Sequence, residues 1–170
     1  SIVGPTGTAP GRQIAYKRMG ATPDTSVTID QEAAVIMAGL CQIWRGVDTT
    51  TAEDATSTAA SGTSANPDSP AIITVTANAL VLSISMLDDD DATVTTYPSG
   101  YTNTLSKNTG QGSTTVGATV SIASTIRASA GSEDPGAYTM SSSDAWFANS
   151  VAFRPAGGIT SGPHAAVAAE

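Results

Sequence analysis

The stretch Leu80-Val81-Leu82-Ser83-Ile84-Ser85-Met86-Leu87 decides the fold class of this 170-residue chain. Its side chains form two alternating sets, with Leu80, Leu82, Ile84 and Met86 in one and Val81, Ser83, Ser85 and Leu87 in the other. Residues 116–127 alternate in the same way, with mainly Val, Ile and Ala on one side and mainly Gly, Ser and Thr on the other. Successive side chains of an extended chain point to opposite faces. The pattern therefore predicts two β-strands, each with one buried face.

Further strands are expected at 12–19, 26–29, 34–45, 71–76, 93–97, 100–106, 136–140 and 145–154, separated by Pro- and Gly-containing turn signals. Residues 34–45 are apolar on both sides, which also fits a buried helix, and the polar residues before them resemble a first helical turn. We interpret 34–45 as a central strand because the similar segment 145–154 alternates. Many short strands without a convincing amphipathic helix predict an antiparallel β-sandwich with a jelly-roll-like arrangement.

The order of segments near residues 12–48 recurs near residues 120–157. In each case a long apolar segment ends in an arginine, Arg45 or Arg154, followed by a short turn. A shared order at a nearly constant offset predicts two related halves. We expect a sandwich over 1–156, with a first half at 12–48, a connecting surface loop at 49–70, a second half at 71–156 and a tail or linker at 157–170.

The first half is shorter than the second at its N-terminal side. In the second half, residues 80–101 supply a long strand and a turn before the alternating segment. In the first half, only residues 1–11 precede the corresponding segment at 12–19. Our hypothesis is that this chain is the C-terminal portion of a longer polypeptide and that roughly 25–40 residues of the first half lie outside it. A neighbouring subunit would then supply or cover the incomplete sheet edge.

Composition narrows the classes of function. The formal net charge is −8 and the chain has only seven basic residues, which argues against binding to nucleic acids or to anionic membranes. Charged residues make up 13% of the chain, so Ser, Thr, Asn and Gly must provide most of the polar surface, as on many extracellular and virion β-proteins. Cys41, the sole cysteine, rules out a disulfide within the chain and is expected to be a buried small apolar residue. We expect no transmembrane helix, because no run of about 20 apolar residues occurs.

Few residues have a pattern that points to chemistry. The four consecutive carboxylates Asp88, Asp89, Asp90 and Asp91 are a weak Ca²⁺ candidate, since Ca²⁺ takes oxygen ligands. Consecutive side chains diverge and the calcium-loop spacing is absent, so a solvated turn is the favoured interpretation. The only histidine, His164, lies in the expected tail, and no nucleophile elbow or phosphate-binding loop is present. We therefore expect no enzyme activity and no cofactor.

The remaining candidates are arginines and aromatic residues. Arg45 and Arg154 end corresponding strands and are expected to bond free carbonyls or a loop carboxylate. Trp44 and Trp146 are expected to pack in the core, since each lies in a predicted strand. A glycan platform at Tyr97 and Tyr101 is the alternative role for the large aromatic residues.

Taken as a set, several runs resemble a group of tailed-phage and prophage virion structural proteins. They are YKR at 16–18, AVIMAG at 34–39, WRGVDTTT at 44–51, VTANALVL at 75–82, PSGYT at 98–102, SDAW at 143–146 and FRPA at 153–156. The resemblance covers roughly residues 12–156 and implies a β-sandwich module without catalytic residues.

The resemblance implies a non-enzymatic structural protein of a bacteriophage virion: a capsid decoration protein, a fibre or a tail appendage. Its partners would be other virion proteins and further copies of itself, and its location the particle surface. The alternative is a carbohydrate-binding or adhesin domain that recognises a surface glycan through Tyr97, Tyr101 and the Asp run.

Overall fold

The computed structural model describes residues 12–22, 24–28, 37–110 and 117–157, together with the backbone of 164–169. Their regular structure is all β, as predicted. The main sheet is built from β2 (Glu53–Ser64), β5 (Ala79–Leu87), β7 (Thr102–Asn108), β8 (Thr119–Arg127) and β12 (Asp144–Phe153). Its five strands run antiparallel in the order β2-β12-β5-β8-β7.

The other strands pair two by two, again antiparallel. They are β1 (Gly39–Ile43) with β13 (His164–Ala169), β3 (Asp68–Ser69) with β10 (Gly136–Ala137), β4 (Ile72–Thr74) with β9 (Gly131–Glu133), and β6 (Val94–Thr96) with β11 (Thr139–Met140).

One face of the main sheet, which we call the leucine face, carries the large aliphatic side chains. Leu80, Leu82 and Ile84 of β5 lie on it and form a core cluster with Ile122 and Phe153. Half-buried residues from the N-terminal part of the chain pack on this cluster: Ile14, Leu40, Trp44 and Val47. This face matches the apolar set read from the alternation of 80–87.

The opposite face, which we call the serine face, is also buried. Ser83 and Ser85 are at most 1% exposed, because short strands cover this side of the sheet. The hydroxyls are satisfied there: Ser83 donates to Ser69 Oγ at 2.8 Å, and Ser150 donates to the Pro70 carbonyl at 2.6 Å. Tyr138 donates to the Ser83 carbonyl at 2.6 Å. The expectation of one buried face per strand was therefore wrong for β5, since paired hydroxyls allow a polar face to be buried.

The expected surface loop at 49–70 is instead largely strand. Residues 53–64 form β2, the edge strand beside β12. Small side chains make this pairing achievable, and Gly62 faces Trp146 at close range. An unpatterned Ser/Thr/Ala tract carries no periodic hydrophobic signal, so only its partner strand reveals the structure.

Several other segments also differ from expectation. Of residues 34–45, only Gly39–Ile43 is a strand, and it pairs with β13 rather than lying at the centre of the main sheet; 34–36 lie outside the described residues. Residues 12–19 form no strand beyond one isolated bridge at Ile14, and the described part of 26–29 forms none. Within the expected tail, the backbone of 164–169 forms β13. The result is an all-β, sandwich-like fold, in which the jelly-roll arrangement stays a prediction.

Candidate interaction surface

The short segments that follow Arg45 and Arg154, which occupy corresponding positions in the expected repeat, contact each other. Val47 pairs with Pro155 in an antiparallel bridge. The amide of Asp48 donates to the Arg154 carbonyl at 2.8 Å, and the amide of Ala156 donates to the Gly46 carbonyl at 2.7 Å. A shallow cleft lies beside this bridge, and Trp44, Arg45, Asn78, Ile126 and Arg154 are among its lining residues. Trp44, Arg45 and Arg154, which the sequence analysis singled out, thus line the same cleft.

Arg154 adjoins a buried carboxylate. Its Nε lies 3.5 Å from Oδ1 of Asp54, whose side chain is fully buried. Asp54 also accepts the amides of Val75 at 2.7 Å and Thr76 at 3.3 Å, together with the Thr76 hydroxyl. Burial acts to raise the pKa of Asp54, but the hydrogen bonds outweigh it and the pKa is lowered. This carboxylate binds the start of the loop after β4 to the main sheet, and the Arg154 side chain lies within ion-pair distance of it.

A local irregularity explains why Asp54 points inward. The β2–β12 register shifts between Ala152 and Phe153, so that Ala55 and Glu53 face consecutive β12 residues and Asp54 is an extra residue. Such a bulge turns a side chain out of the regular alternation. Sequence reasoning missed Asp54 because it lay in a predicted loop.

The two tryptophans serve packing. Trp146 is 9% exposed, and its Nε1 donates to Ser64 Oγ at 2.9 Å. Trp44 is half-buried against the cluster of the leucine face. Arg45, in contrast, is exposed beside the cleft.

Tyr97 and Tyr101 do not form an open platform for a sugar. Tyr101 is 8% exposed, and its hydroxyl donates to Glu133 Oε1 at 3.0 Å; Glu133 also pairs with Arg127 at 2.8 Å. Burial and then Glu133 raise the pKa of Tyr101. Tyr97 is half-buried, with its ring edge-on to Tyr138 at 5.8 Å between centroids. Both rings therefore contribute to packing on the serine face.

The Asp run is folded into its own turn, but the expectation of a solvated turn was wrong for Asp89 and Asp90, which are 3% and 0% exposed. The Asp89 carboxylate accepts the Asp91 amide at 2.8 Å and the Ser142 hydroxyl at 2.5 Å. Asp90 is buried against Gly117, where an added Cβ would lie 2.1 Å from the Asp90 Cβ. Burial, followed by the charges of Asp144 and Asp89, raises the pKa of Asp88. Within the described ranges, no three His, Cys, Asp or Glu side chains are placed to hold a metal.

Cys41 and His164 belong to the β1–β13 pair. Cys41 is half-buried rather than buried, and its backbone pairs with Val167. His164 pairs through its backbone with Ile43.

A row of exposed apolar side chains lies on and beside β4. Ile73 is 69% exposed and Val75 58%, whereas Ile72 is 1% exposed and Thr74 2%. The inward Thr74 hydroxyl donates to the Gly131 carbonyl at 3.1 Å and accepts the Gly131 amide at 3.2 Å. The chain thus buries a threonine and exposes the more apolar set. Periodicity alone would have placed Ile73 and Val75 inside.

The two edges of the main sheet differ. The β7 edge has a bulge at Asn103, whose φ is +51°, and carries Lys107; β1 also reaches it, because Gln42 Nε2 donates to the Asn103 carbonyl at 3.1 Å. These are protective features of edge strands. On the β2 edge, Thr58–Ser64 pairs in unbroken register with 144–150 and contains no Lys, Arg or Pro.

Comparisons with protein-family models, with curated proteins and with solved structures found no match. None of the described segments is a helix long and apolar enough to cross a membrane.

Proposed function

We propose that this protein is a non-enzymatic structural subunit of a bacteriophage virion, a capsid decoration protein, fibre or tail appendage module. The structural observation that carries the proposal is that strand β4 and the residue after it expose their more apolar side. Ile73 and Val75 project outward while Thr74 is buried with its hydroxyl satisfied on both sides.

Single exposed apolar residues are common on soluble proteins and need no explanation. Here, however, the strand exposes its more apolar side. Covering an Ile or a Val completely is worth about 1.5–3 kcal/mol. A partner that covers Ile73 and Val75 would recover this free energy, and apolar rows of this kind are typical of protein contacts.

The phage assignment rests on the sequence resemblance described above and is supported by the character of the surface. The chain combines few charges with a net charge of −8, so its exterior is largely uncharged and hydroxyl-rich. Net negative charge keeps such particles soluble and disfavours contacts with nucleic acid. Within a particle, the protein would then act by packing against neighbouring subunits.

Purified particles of the phage or prophage that encodes the chain provide the test. An antibody against the protein should label intact particles at regular positions in negative-stain images. The double variant Ile73→Ser/Val75→Ser should be incorporated at a clearly lower level than wild type. Val27→Ser is the matched control, since Val27 is also 69% exposed but lies elsewhere. Absence of the protein from purified particles would refute the proposal.

A further inference from the structure

Among the residues that the structure describes, none pairs with the outer edge of β2 along the stretch Thr58–Ser64, which we call the open edge. Its register with β12 is continuous, so no bulge interrupts it there. Its backbone hydrogen bonds within the described part of the chain go to β12, on one side only. An unpaired edge of this length exposes alternate amides and carbonyls and is a template for another strand.

The side chains of the open edge are small and uncharged. Ala59, Ser61 and Thr63 are exposed, while Ala60 and Gly62 are half-buried on the other side. If the stretch pairs with itself around Ser61, Ala60 faces Gly62 and Ala59 faces Thr63. Each such pair can be accommodated, because no bulky or charged side chain is brought opposite another.

Charge selects the direction of pairing. Glu53 and Asp54 lie at the N-terminal end of β2, and the rest of the strand is neutral. A parallel pair would place the two Glu53 carboxylates side by side. An antiparallel pair centred on Ser61 places each Glu53 eight residues from the two-fold axis on opposite sides, so the two carboxylates lie roughly 50 Å apart at about 3.4 Å per residue. Antiparallel self-pairing also creates a closed two-fold contact, the commonest symmetry of protein dimers.

We propose that Thr58–Ser64 pairs antiparallel with the same stretch of a second copy of this chain, so that two five-stranded sheets join into one of ten strands. The contrast with the β7 edge supports the choice of edge, since β7 is bulged, carries a lysine and is contacted by β1. This pairing does not depend on the virion assignment, because it concerns two free copies in solution.

Salt should strengthen the contact. Each copy carries a formal net charge of −8, so two copies repel each other at long range. Raising the ionic strength screens this repulsion without weakening backbone hydrogen bonds. The dimer dissociation constant should therefore fall as sodium chloride is raised.

Sedimentation equilibrium of the purified chain gives the first test. Wild type should show a concentration-dependent dimer. Ser61→Lys places like charges at the two-fold axis and should raise the dissociation constant about fivefold or more. Thr104→Lys is the matched control, since it makes the same charge change at an exposed position of β7 and should leave dimerisation unchanged. Thermal unfolding followed by circular dichroism checks that both variants are folded.

Cross-linking tests the register. In a Cys41→Ser background, Ser61→Cys should form an intermolecular disulfide on mild oxidation, because facing residues of an antiparallel pair have Cα atoms at distances a disulfide can span. Thr104→Cys should form far less. A wild-type chain that stays monomeric at high concentration and high salt, or a folded Ser61→Lys variant that dimerises like wild type, would overturn the proposal. Either result would leave the particle-labelling test of the proposed function untouched.

Discussion

The indole of Trp146 occupies the space that a side chain at position 62 would need. A Cβ added to Gly62 would lie 2.7 Å from Cζ2 of Trp146 and 2.9 Å from Cε2. The ring is held there by the hydrogen bond from its Nε1 to Ser64, which lies on β2 two residues after Gly62. The pairing of β2 with β12 thus depends on a glycine at one position of an otherwise unpatterned tract.

Gly62→Ala should destabilise the protein by about 1–3 kcal/mol, the usual cost of overpacking a well-packed site. The free energy of unfolding in urea measures the effect. Gly39→Ala is the control, because a Cβ at Gly39 meets nothing within 4 Å. Equal stability of the two variants would show that Trp146 can move aside without cost.

Asp54→Asn should lower the free energy of unfolding at neutral pH by about 1–3 kcal/mol, because it weakens the hydrogen bonds from Val75 and Thr76 to a charged acceptor. The folded pKa of Asp54 is lowered, so its contribution is present above the unfolded pKa of about 3.9 and is lost as the pH falls through the folded value. The variant should consequently lose less stability than wild type on acidification below about pH 4.

Urea unfolding at pH 7 and at pH 3 compares the two proteins. Asp68→Asn, on an exposed position of β3, is the matched control. If Asp54→Asn had the same free energy of unfolding as wild type at pH 7, the buried carboxylate would not be needed to hold the loop after β4.

Tyr101 and Tyr138 should make the protein sensitive to alkali. Burial is the main cause that raises the pKa of both, with a further contribution from Glu133 at Tyr101. Since the folded pKa values are raised, their contribution is complete below the unfolded tyrosine pKa of about 10 and is lost as the pH rises above it. Tyr101→Phe/Tyr138→Phe should reduce the loss of stability between pH 8 and pH 11, as measured by urea midpoints. The variant should also be less stable at pH 8, because Tyr138 no longer donates to the Ser83 carbonyl. An alkaline dependence equal to wild type would contradict the prediction.

Millimolar Ca²⁺ or EDTA should leave the melting temperature unchanged. A ligand that binds only the folded state raises stability by an amount that grows with the logarithm of its concentration once this exceeds the dissociation constant. Asp89 already accepts hydrogen bonds from Asp91 and Ser142, and the run gathers no three carboxylates within the described residues. A calcium-dependent rise that disappears in Asp89→Asn would contradict this and restore the calcium hypothesis.

The strands that the sequence predicted well are those with large apolar side chains at alternate positions. Residues 80–87 and 145–154 alternate large aliphatic or aromatic side chains with small ones, and both lie at the centre of the main sheet. The prediction failed at 53–64, because Ser, Thr, Ala and Gly fit strand and loop equally and the deciding contact is with Trp146, far along the chain.

The candidate surface could be predicted only in part. The apolar residues of 71–76 were assigned to a strand, and β4 lies there. Their orientation was not predictable, because Thr74 faces inward only where the Gly131 amide and carbonyl satisfy its hydroxyl. Arg154 was expected to bond a carboxylate or free carbonyls, but the bulge that supplies Asp54 leaves no sign in the sequence.

The sequence by itself determined the all-β class, through the period-two alternation of 80–87 and 116–127, and the acidic, hydroxyl-rich character of the surface. Tertiary structure alone decided which polar side chains are buried and which strand has the open edge. The physical reason is that burying a hydroxyl or a carboxylate is affordable only beside a partner, and the partners of Ser83, Thr74 and Asp54 come from other segments of the chain.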